Sequence, residues 1–303
     1  MTQSDTYKLF ILRHGQSELN HENIFCGWID ADLTEKGKEQ AKNAALLIKE
    51  HCASNSLDLP RIGYSSRLVR TQETIDVMLQ TFGIKKAIYK IVSHGNPVDN
   101  DSNGFAGHEA VVYQTWRLNE RHYGAWQGQR KPDILKEYGK EHYMFIRRDY
   151  NGRPPAADLT REMVQEVNDK GSLTGYDFKE PNRHIKYKPE EDAGEVLPSN
   201  ESLCDVVKRL ERFLSEAIVA KLNSNNSAAL IVAHGSSVRS ILKILEDISD
   251  DEIKDVEIPN AIPIVVELDK KTKKFVRKYY LDPELAKINA ERVRNEGFEK
   301  YDK

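Results

Sequence analysis

The sequence predicts an α/β fold, a mostly parallel central sheet flanked by helices on both faces. Three observations carry this. Short runs rich in Leu, Ile, Val and Ala, at 7–12 and 228–233, read as buried strands. Longer segments with apolar residues every three or four positions read as amphipathic helices. The two kinds alternate along the chain, which favours parallel strands joined through helices.

Taken in order, the first strand covers Tyr7–Arg13, and a helix follows from Thr34 to Glu50. Thr34 is its N-cap, and Ala41, Ala44, Ala45 and Ile48 form its apolar stripe. A second strand at 61–65 leads to a helix over 69–82, with Ile75, Met78, Leu79 and Phe82 inward. The clearest periodicity runs from Glu201 to Leu222, through Leu203, Val206, Val207, Leu210, Phe213, Leu214, Ala217 and Ile218. Strand 228–233, helix 237–246 and strands 263–268 and 274–280 complete the series. Asp282-Pro283-Glu284 then starts a last helix: a cap, a proline at the first position and an acid in the first turn. Residues 93–109 and 151–200 are polar, rich in turn-forming residues and without a clean period, so they read as long loops. The chain is expected to form a single domain, 1–303, carrying insertions at about 84–112 and 156–190.

A chain of 303 residues with 39% apolar side chains can bury a large core. A net charge of -3 with both signs interleaved argues against a nucleic-acid partner. No apolar run reaches membrane-spanning length, and the N-terminal residues lack the pattern of a secretory leader. Cys26, Cys52 and Cys204 are scattered and form no C-x-x-C pair. A cytoplasmic location without membrane association is the expectation. The nine histidines show no H-x-x-x-H or H-E-x-x-H spacing, so no metal is expected.

The chemistry is expected at the carboxyl ends of the strands, where open α/β sheets bind ligands. Two strands end alike: the first in Arg13-His14-Gly15, the other in His234-Gly235. Each glycine is expected to let the backbone turn sharply. A neutral, oriented histidine is a nucleophile toward phosphorus, and neighbouring cations favour its neutral form. An arginine beside it presents a planar fork of donors to phosphoryl oxygens. Further cations are available in Arg70, Lys131, Arg147 and Arg148. Glu120, in the run W-R-L-N-E-R-H-Y-G from Trp116 to Gly124, is a candidate acid and base. The plainer readings are a solvated helix face for Arg147-Arg148, and an ion pair with Arg117 or Arg121 for Glu120.

These motifs resemble the cofactor-dependent phosphoglycerate mutases of the histidine phosphatase superfamily. The resemblance rests on L-R-H-G-Q-S-E-L-N (Leu12–Asn20), F-C-G-W (Phe25–Trp28), L-T-E-K-G (Leu33–Gly37) and L-N-E-R-H-Y-G (Leu118–Gly124). It extends through L-P-S-N-E-S-L (Leu197–Leu203), A-H-G (Ala233–Gly235), I-P-N-A-I-P (Ile258–Pro263) and Y-L-D-P (Tyr280–Pro283). It implies a three-layer sandwich and the interconversion of 2- and 3-phosphoglycerate, primed by 2,3-bisphosphoglycerate. His14 would become the phosphohistidine, Glu120 would serve the substrate hydroxyl, and His234 would stabilise the phosphoryl group in transfer. Arg13 and Arg70 would bind that group, with Asn20 as a polar donor. Gly15, Gln16, Ser17, Glu18 and Leu19 fall within the same binding run. Tyr123, Lys131, Arg147 and Arg148 would hold the carboxylate and second phosphate, and Arg121, His122 and Gly235 belong to the substrate-binding set. Dimers or tetramers are common in the family.

Two positions depart from it. Cys26, next to Gly27, stands where the family has threonine, and Ser236 stands where it has asparagine. Three readings follow: an active mutase, a phosphatase that passes the phosphoryl group to water, and a catalytically weak paralogue. L-N-E-R-H-Y-G and the pair Arg147-Arg148 favour the first, because they serve a substrate held at both ends.

Overall fold

Strand β1 (Thr6–Arg13) is buried along nearly its whole length in the computed structural model, which describes residues 5–93, 109–162, 179–180 and 183–298. A short helix α1 (Glu18–His21) is capped by Ser17, and α2 (Glu35–Ser54) by Thr34, whose Oγ1 accepts from Gly37 N at 3.1 Å. Strand β2 (Ile62–Ser65) leads into α3 (Val69–Phe82), which Gly83 ends in the left-handed conformation. Strands β3 (Lys86–Ile91) and β4 (Glu109–Gln114) follow. Helix α4 (Lys131–Arg148) is kinked at Gly139, and the short turns α5 (Leu159–Glu162), α6 (Arg183–Lys186) and α7 (Lys188–Asp192) come after it. Helix α8 (Leu203–Phe213) begins with a reciprocal cap: Asp205 N donates to Ser202 Oγ and Ser202 N donates to Asp205 Oδ2. Strand β5 (Ala228–Ala233), α9 (Gly235–Glu246), β6 (Ile264–Asp269), β7 (Phe275–Tyr280) and α10 (Pro283–Asn295) complete the described chain.

The strands form one sheet in the order β3-β4-β2-β5-β1-β6-β7. The first five are mutually parallel, and β6 and β7 add on antiparallel. Alternation along each strand separates two cores. Leu9, Ile11, Tyr64 and Ile231 pack with Val206, Leu210 and Phe213 of α8 and Val238 and Ile241 of α9. Phe10, Leu12, Val112 and Val232 pack with Ala41, Ala45 and Ile48 of α2 and Ile75, Met78 and Phe82 of α3. The result is the expected three layers. No helix among the described residues is long and apolar enough to cross a membrane.

Three differences from the expectation have physical causes. Strands β3 and β4 occupy the two ends of the expected insertion at about 84–112. Strand β3 lies at the sheet edge and keeps Lys86 and Lys90, so its sequence K-A-I-Y-K-I does not read as buried. Between them, residues 94–108 lie outside the described set, as do 163–178 and 181–182 of the second segment. The described part of that second segment is not wholly at the surface: Glu180, Arg183 and Glu190, and Glu195 just beyond it, are buried, while Ile185 is exposed. Finally, the long helical run leaves α-geometry at 214–218 and becomes a wider turn. There the Tyr64 hydroxyl donates to Ala217 O at 2.9 Å, a side chain engaging a helical carbonyl where the ladder loosens.

Candidate active site

The β1–β5 register pairs Arg13 with Ala233, and His14 N donates to Ala233 O at 3.0 Å. Two parallel neighbouring strands therefore deliver His14 and His234 at the same edge, with ring centroids 5.0 Å apart. The glycines do something other than turn sharply, since neither takes a positive φ. A Cβ on Gly15 would lie 2.3 Å from Gly37 O, so glycine lets this loop touch the first turn of α2. Gly235 is the first residue of α9, beside the Glu120 carboxylate and the Arg13 guanidinium.

His14 is fixed in one tautomer. Its Nδ1 lies 2.6 Å from Gly15 O, an atom that can only accept, so Nδ1 carries the proton. Nε2 is left with a lone pair, toward which Arg70 Nε donates at 3.2 Å. Burial, then Arg70 and Arg13, hold the ring well below the usual imidazole range, so it is neutral near pH 7. His234 is buried beside it, and burial followed by Arg70 and His14 keeps it neutral as well. Its Nε2 meets Ser66 Oγ at 2.8 Å, and its Nδ1 has no hydrogen-bond partner among the described residues.

Arg70, at the start of α3, is locked in place. Nη1 donates to Ile29 O at 2.9 Å and Nη2 to Gly27 O at 2.8 Å. Arg13 Nη1 reaches Ile258 O at 3.3 Å, while its buried Nε has no partner among the described residues. The Glu120 carboxylate accepts from Arg121 N at 2.7 Å and from Ser236 N at 3.2 Å. Its own carbonyl accepts from Trp28 Nε1 and from Arg209. The plainer readings fail here. Arg117 pairs with Glu195, and the Arg121 guanidinium donates to Ile146 O and Arg147 O. Arg147 and Arg148 are buried rather than solvated.

One pocket is lined by Arg13, His14, Asn20, Cys26, Gly27, Arg70, Glu120, Tyr123, Lys131, Arg147, Arg148, Gly235 and Ser236. The thiol of Cys26 points back to Ile29 O at 3.6 Å, and burial raises its pKa, keeping it protonated. The remaining residues of the expected set are not among those that line this pocket. Ser17 caps α1, Glu18 is exposed, Leu19 is in the core and Gln16 lies in a neighbouring polar cleft. Arg121 stacks over Tyr123 from behind, its carbon 4.7 Å from the ring centre. His122 Nδ1 accepts from Gly124 N, so Nε2 carries the proton that it donates to Glu180 at 2.5 Å.

Sequence reasoning did not single out Ser66, Glu180, Arg239, Glu257 or Glu296. Ser66 sits in the run Y-S-S-R before α3, where a second polar residue was the available signal. Glu180 binds His122, Gln127 and Arg183, and Gln127 in turn accepts from Trp28 N at 2.7 Å. Glu180 lies 58 positions from His122 and 53 from Gln127, separations that leave no periodic trace. Arg239, Glu257 and Glu296 line the pocket beside the basic wall.

The pattern of the Histidine phosphatase superfamily (branch 1) matches residues 9–90, 104–172 and 168–280. The chain belongs to that superfamily. Within it, phosphoglycerate mutase 3 of Saccharomyces cerevisiae is 64% identical over 99% of this chain and 99% of its own length. Phosphoglycerate mutase 2 of the same organism is 61% identical, over 98% of this chain and 97% of its own. A 2,3-bisphosphoglycerate-dependent phosphoglycerate mutase of Bifidobacterium longum is 37% identical, over 96% and 99%. Among solved structures, a mycobacterial glucosyl-3-phosphoglycerate phosphatase matches with a TM-score of 0.57 at 19% identity, covering 91% of this chain and 98% of its own. That last likeness concerns the histidine phosphatase fold alone.

Proposed function

We propose that this protein interconverts 2-phosphoglycerate and 3-phosphoglycerate through a phosphohistidine on His14, a step of glycolysis and gluconeogenesis in the cytoplasm. The observation that carries the reading is one pocket lined by two groups of cations. A neutral, tautomer-fixed histidine with Arg13 and Arg70 stands in the same pocket as Lys131, Arg147 and Arg148. A substrate carrying phosphate at one end and carboxylate at the other fits that division. The high identity to phosphoglycerate mutases over nearly the whole chain supports the same reaction.

2,3-Bisphosphoglycerate supplies the first phosphoryl group. The buried Arg13 Nε–H, without a partner among the described residues, fits an incoming anion, and His234 Nδ1, likewise unpartnered among them, does so when it carries the ring proton. In the transfer to the enzyme the His14 Nε2 lone pair bonds to phosphorus and the bond from phosphorus to the donor oxygen breaks; in the transfer from the enzyme a substrate hydroxyl oxygen bonds to phosphorus and the phosphorus–Nε2 bond breaks. Gly15 O, already accepting from Nδ1, stabilises the positive charge that the phosphorylated ring acquires. Arg70 Nε, freed from Nε2, is placed to donate to a phosphoryl oxygen. Glu120, held by two backbone N–H groups, gives a proton to the departing substrate oxygen and takes one from the accepting hydroxyl. The primed enzyme gives its phosphoryl group to the free hydroxyl of the substrate and then takes one back from the oxygen of the neighbouring carbon.

The test is a coupled assay for 2-phosphoglycerate formed from 3-phosphoglycerate, run with and without 2,3-bisphosphoglycerate. Bisphosphate-dependent turnover that is lost in His14→Ala is the expected result. Release of free phosphate in place of 2-phosphoglycerate would replace the mutase with a phosphatase.

A further inference from the structure

The basic wall of the pocket is already paired with carboxylates of the chain itself. Arg148 binds Glu257 at 2.6 Å, and Glu257 is half-buried just before Ile258. Lys131 and Arg147 bind a different acid, Glu296, at 2.5 and 2.9 Å. Glu296 follows the last turn of α10 and is held from several sides. Its carbonyl accepts from Arg147 Nη1 at 2.9 Å and from the Tyr143 hydroxyl at 3.1 Å. Gly297, at φ +94°, is pressed against Tyr143, where a Cβ would lie 2.3 Å from the hydroxyl. Phe298 then meets the Tyr143 ring edge-on at 5.9 Å.

Two buried cations share this one carboxylate. Burial alone would raise its pKa, but Lys131, Arg147 and Arg13 outweigh burial and bring it down to about 2, so it is ionised. Its position is also distinctive. Glu296, Val293 and Asn20 line both the catalytic pocket and an outer polar cleft. That cleft carries Lys36, Arg292 and the amides of Gln16, Gln40 and Asn260. The Glu296 side chain therefore stands between an amide-rich and cationic outer cleft and the inner basic wall.

We infer that Glu296 holds the place of the substrate's non-reacting anionic end, and that an incoming phosphorylated carboxylic acid displaces it from Lys131 and Arg147. This rests on the mutase reading for the identity of the substrate, but the exchange of one anion for another does not depend on turnover. The resident carboxylate removes the cost of leaving two buried cations unpaired in the free protein. It also sets the affinity, because a ligand that must displace a resident group binds more weakly by the fraction of molecules in which the site is open.

The experiment uses the full chain and measures binding of 3-phosphoglycerate by calorimetry to wild type, Glu296→Gln and Glu296→Asp. Gln keeps the shape and removes the charge, so its affinity should be about five- to tenfold tighter than wild type. Asp keeps the charge and should stay within about twofold of wild type. A structural part alone would make Gln weaker, because the tail would lose its anchor. Equal or weaker binding by Gln overturns the inference. Turnover, assayed on the same wild-type preparation, is read separately. Turnover without tighter Gln binding removes this inference and leaves the mutase. Tighter Gln binding without turnover leaves the resident carboxylate and removes the mutase.

Discussion

Replacing Arg70 by lysine keeps the positive charge beside His14 and discards the guanidinium fork, so it separates two explanations of the site. In the wild type, three nitrogens act at once, on His14 Nε2, Ile29 O and Gly27 O. A lysine ammonium reaches one of these positions and leaves two without a donor. A hydrogen bond to a charged group contributes about 1.5–3 kcal/mol, so losing two costs about 3 kcal/mol at the lower bound. At about 1.4 kcal/mol per factor of ten, that is on the order of a hundredfold if it falls wholly on one equilibrium or rate. It will be divided between folding and chemistry, because Gly27 and Ile29 frame the Cys26 loop while Nε faces the nucleophile. The assays are urea denaturation and the rate of His14 labelling from 2,3-bisphosphoglycerate. Arg70→Lys should lose about 2–3 kcal/mol of stability and label at least about tenfold more slowly. If stability stays within about 0.5 kcal/mol and labelling within about twofold, charge alone suffices and the argument from the fork is wrong.

Other consequences follow from the same geometry. His14 and His234 both lie below their ordinary pKa of 6.5. The unfolded chain therefore takes up their protons first as pH falls, and the stability that they contribute above pH 6.5 is lost on the acid side at up to about 1.4 kcal/mol per histidine per pH unit. Glu180 and Glu296, at about 2 against an ordinary 4.5, destabilise only below pH 4.5. Urea denaturation between pH 6.5 and 4.5 should show the histidine slope, and His14→Asn should reduce it; an unchanged slope would contradict the neutral, buried ring. Cys26→Thr combined with Ser236→Asn should raise mutase activity by about tenfold or more, by restoring two polar donors. No change in kcat/KM would show that these two positions do not limit the reaction.

Most of the sheet was legible because its central strands are apolar on both faces, as β1 and β5 are. Helices α2, α3 and α8 were legible because their stripes face a core on one side only. Strand β3 was not, since an edge strand keeps charges and its partner β4 lies beyond a polar stretch. Helix α4 was missed because Gly139 breaks it internally; Arg147 and Arg148 at its end were expected at the substrate, with a solvated helix face as the plainer alternative. Their burial depends on Glu296 and Glu257, which sequence spacing does not connect to them. Within the site, the paired histidine termini and the Glu120 run were readable as local motifs. The outer supports were not: Glu180 on His122, Ser66 on His234 and Glu296 on Lys131 join residues 58 to 168 positions apart.

In the proposed reaction His14 accepts a phosphoryl group and returns it to phosphoglycerate. Incubation with 2,3-bisphosphoglycerate labelled in its phosphates, followed by a chase with unlabelled 3-phosphoglycerate, tests it directly. Label should appear on wild type, be absent from His14→Ala, and leave as labelled bisphosphoglycerate and 2-phosphoglycerate. Absence of label on the wild type, or its release only as free phosphate, would contradict the account.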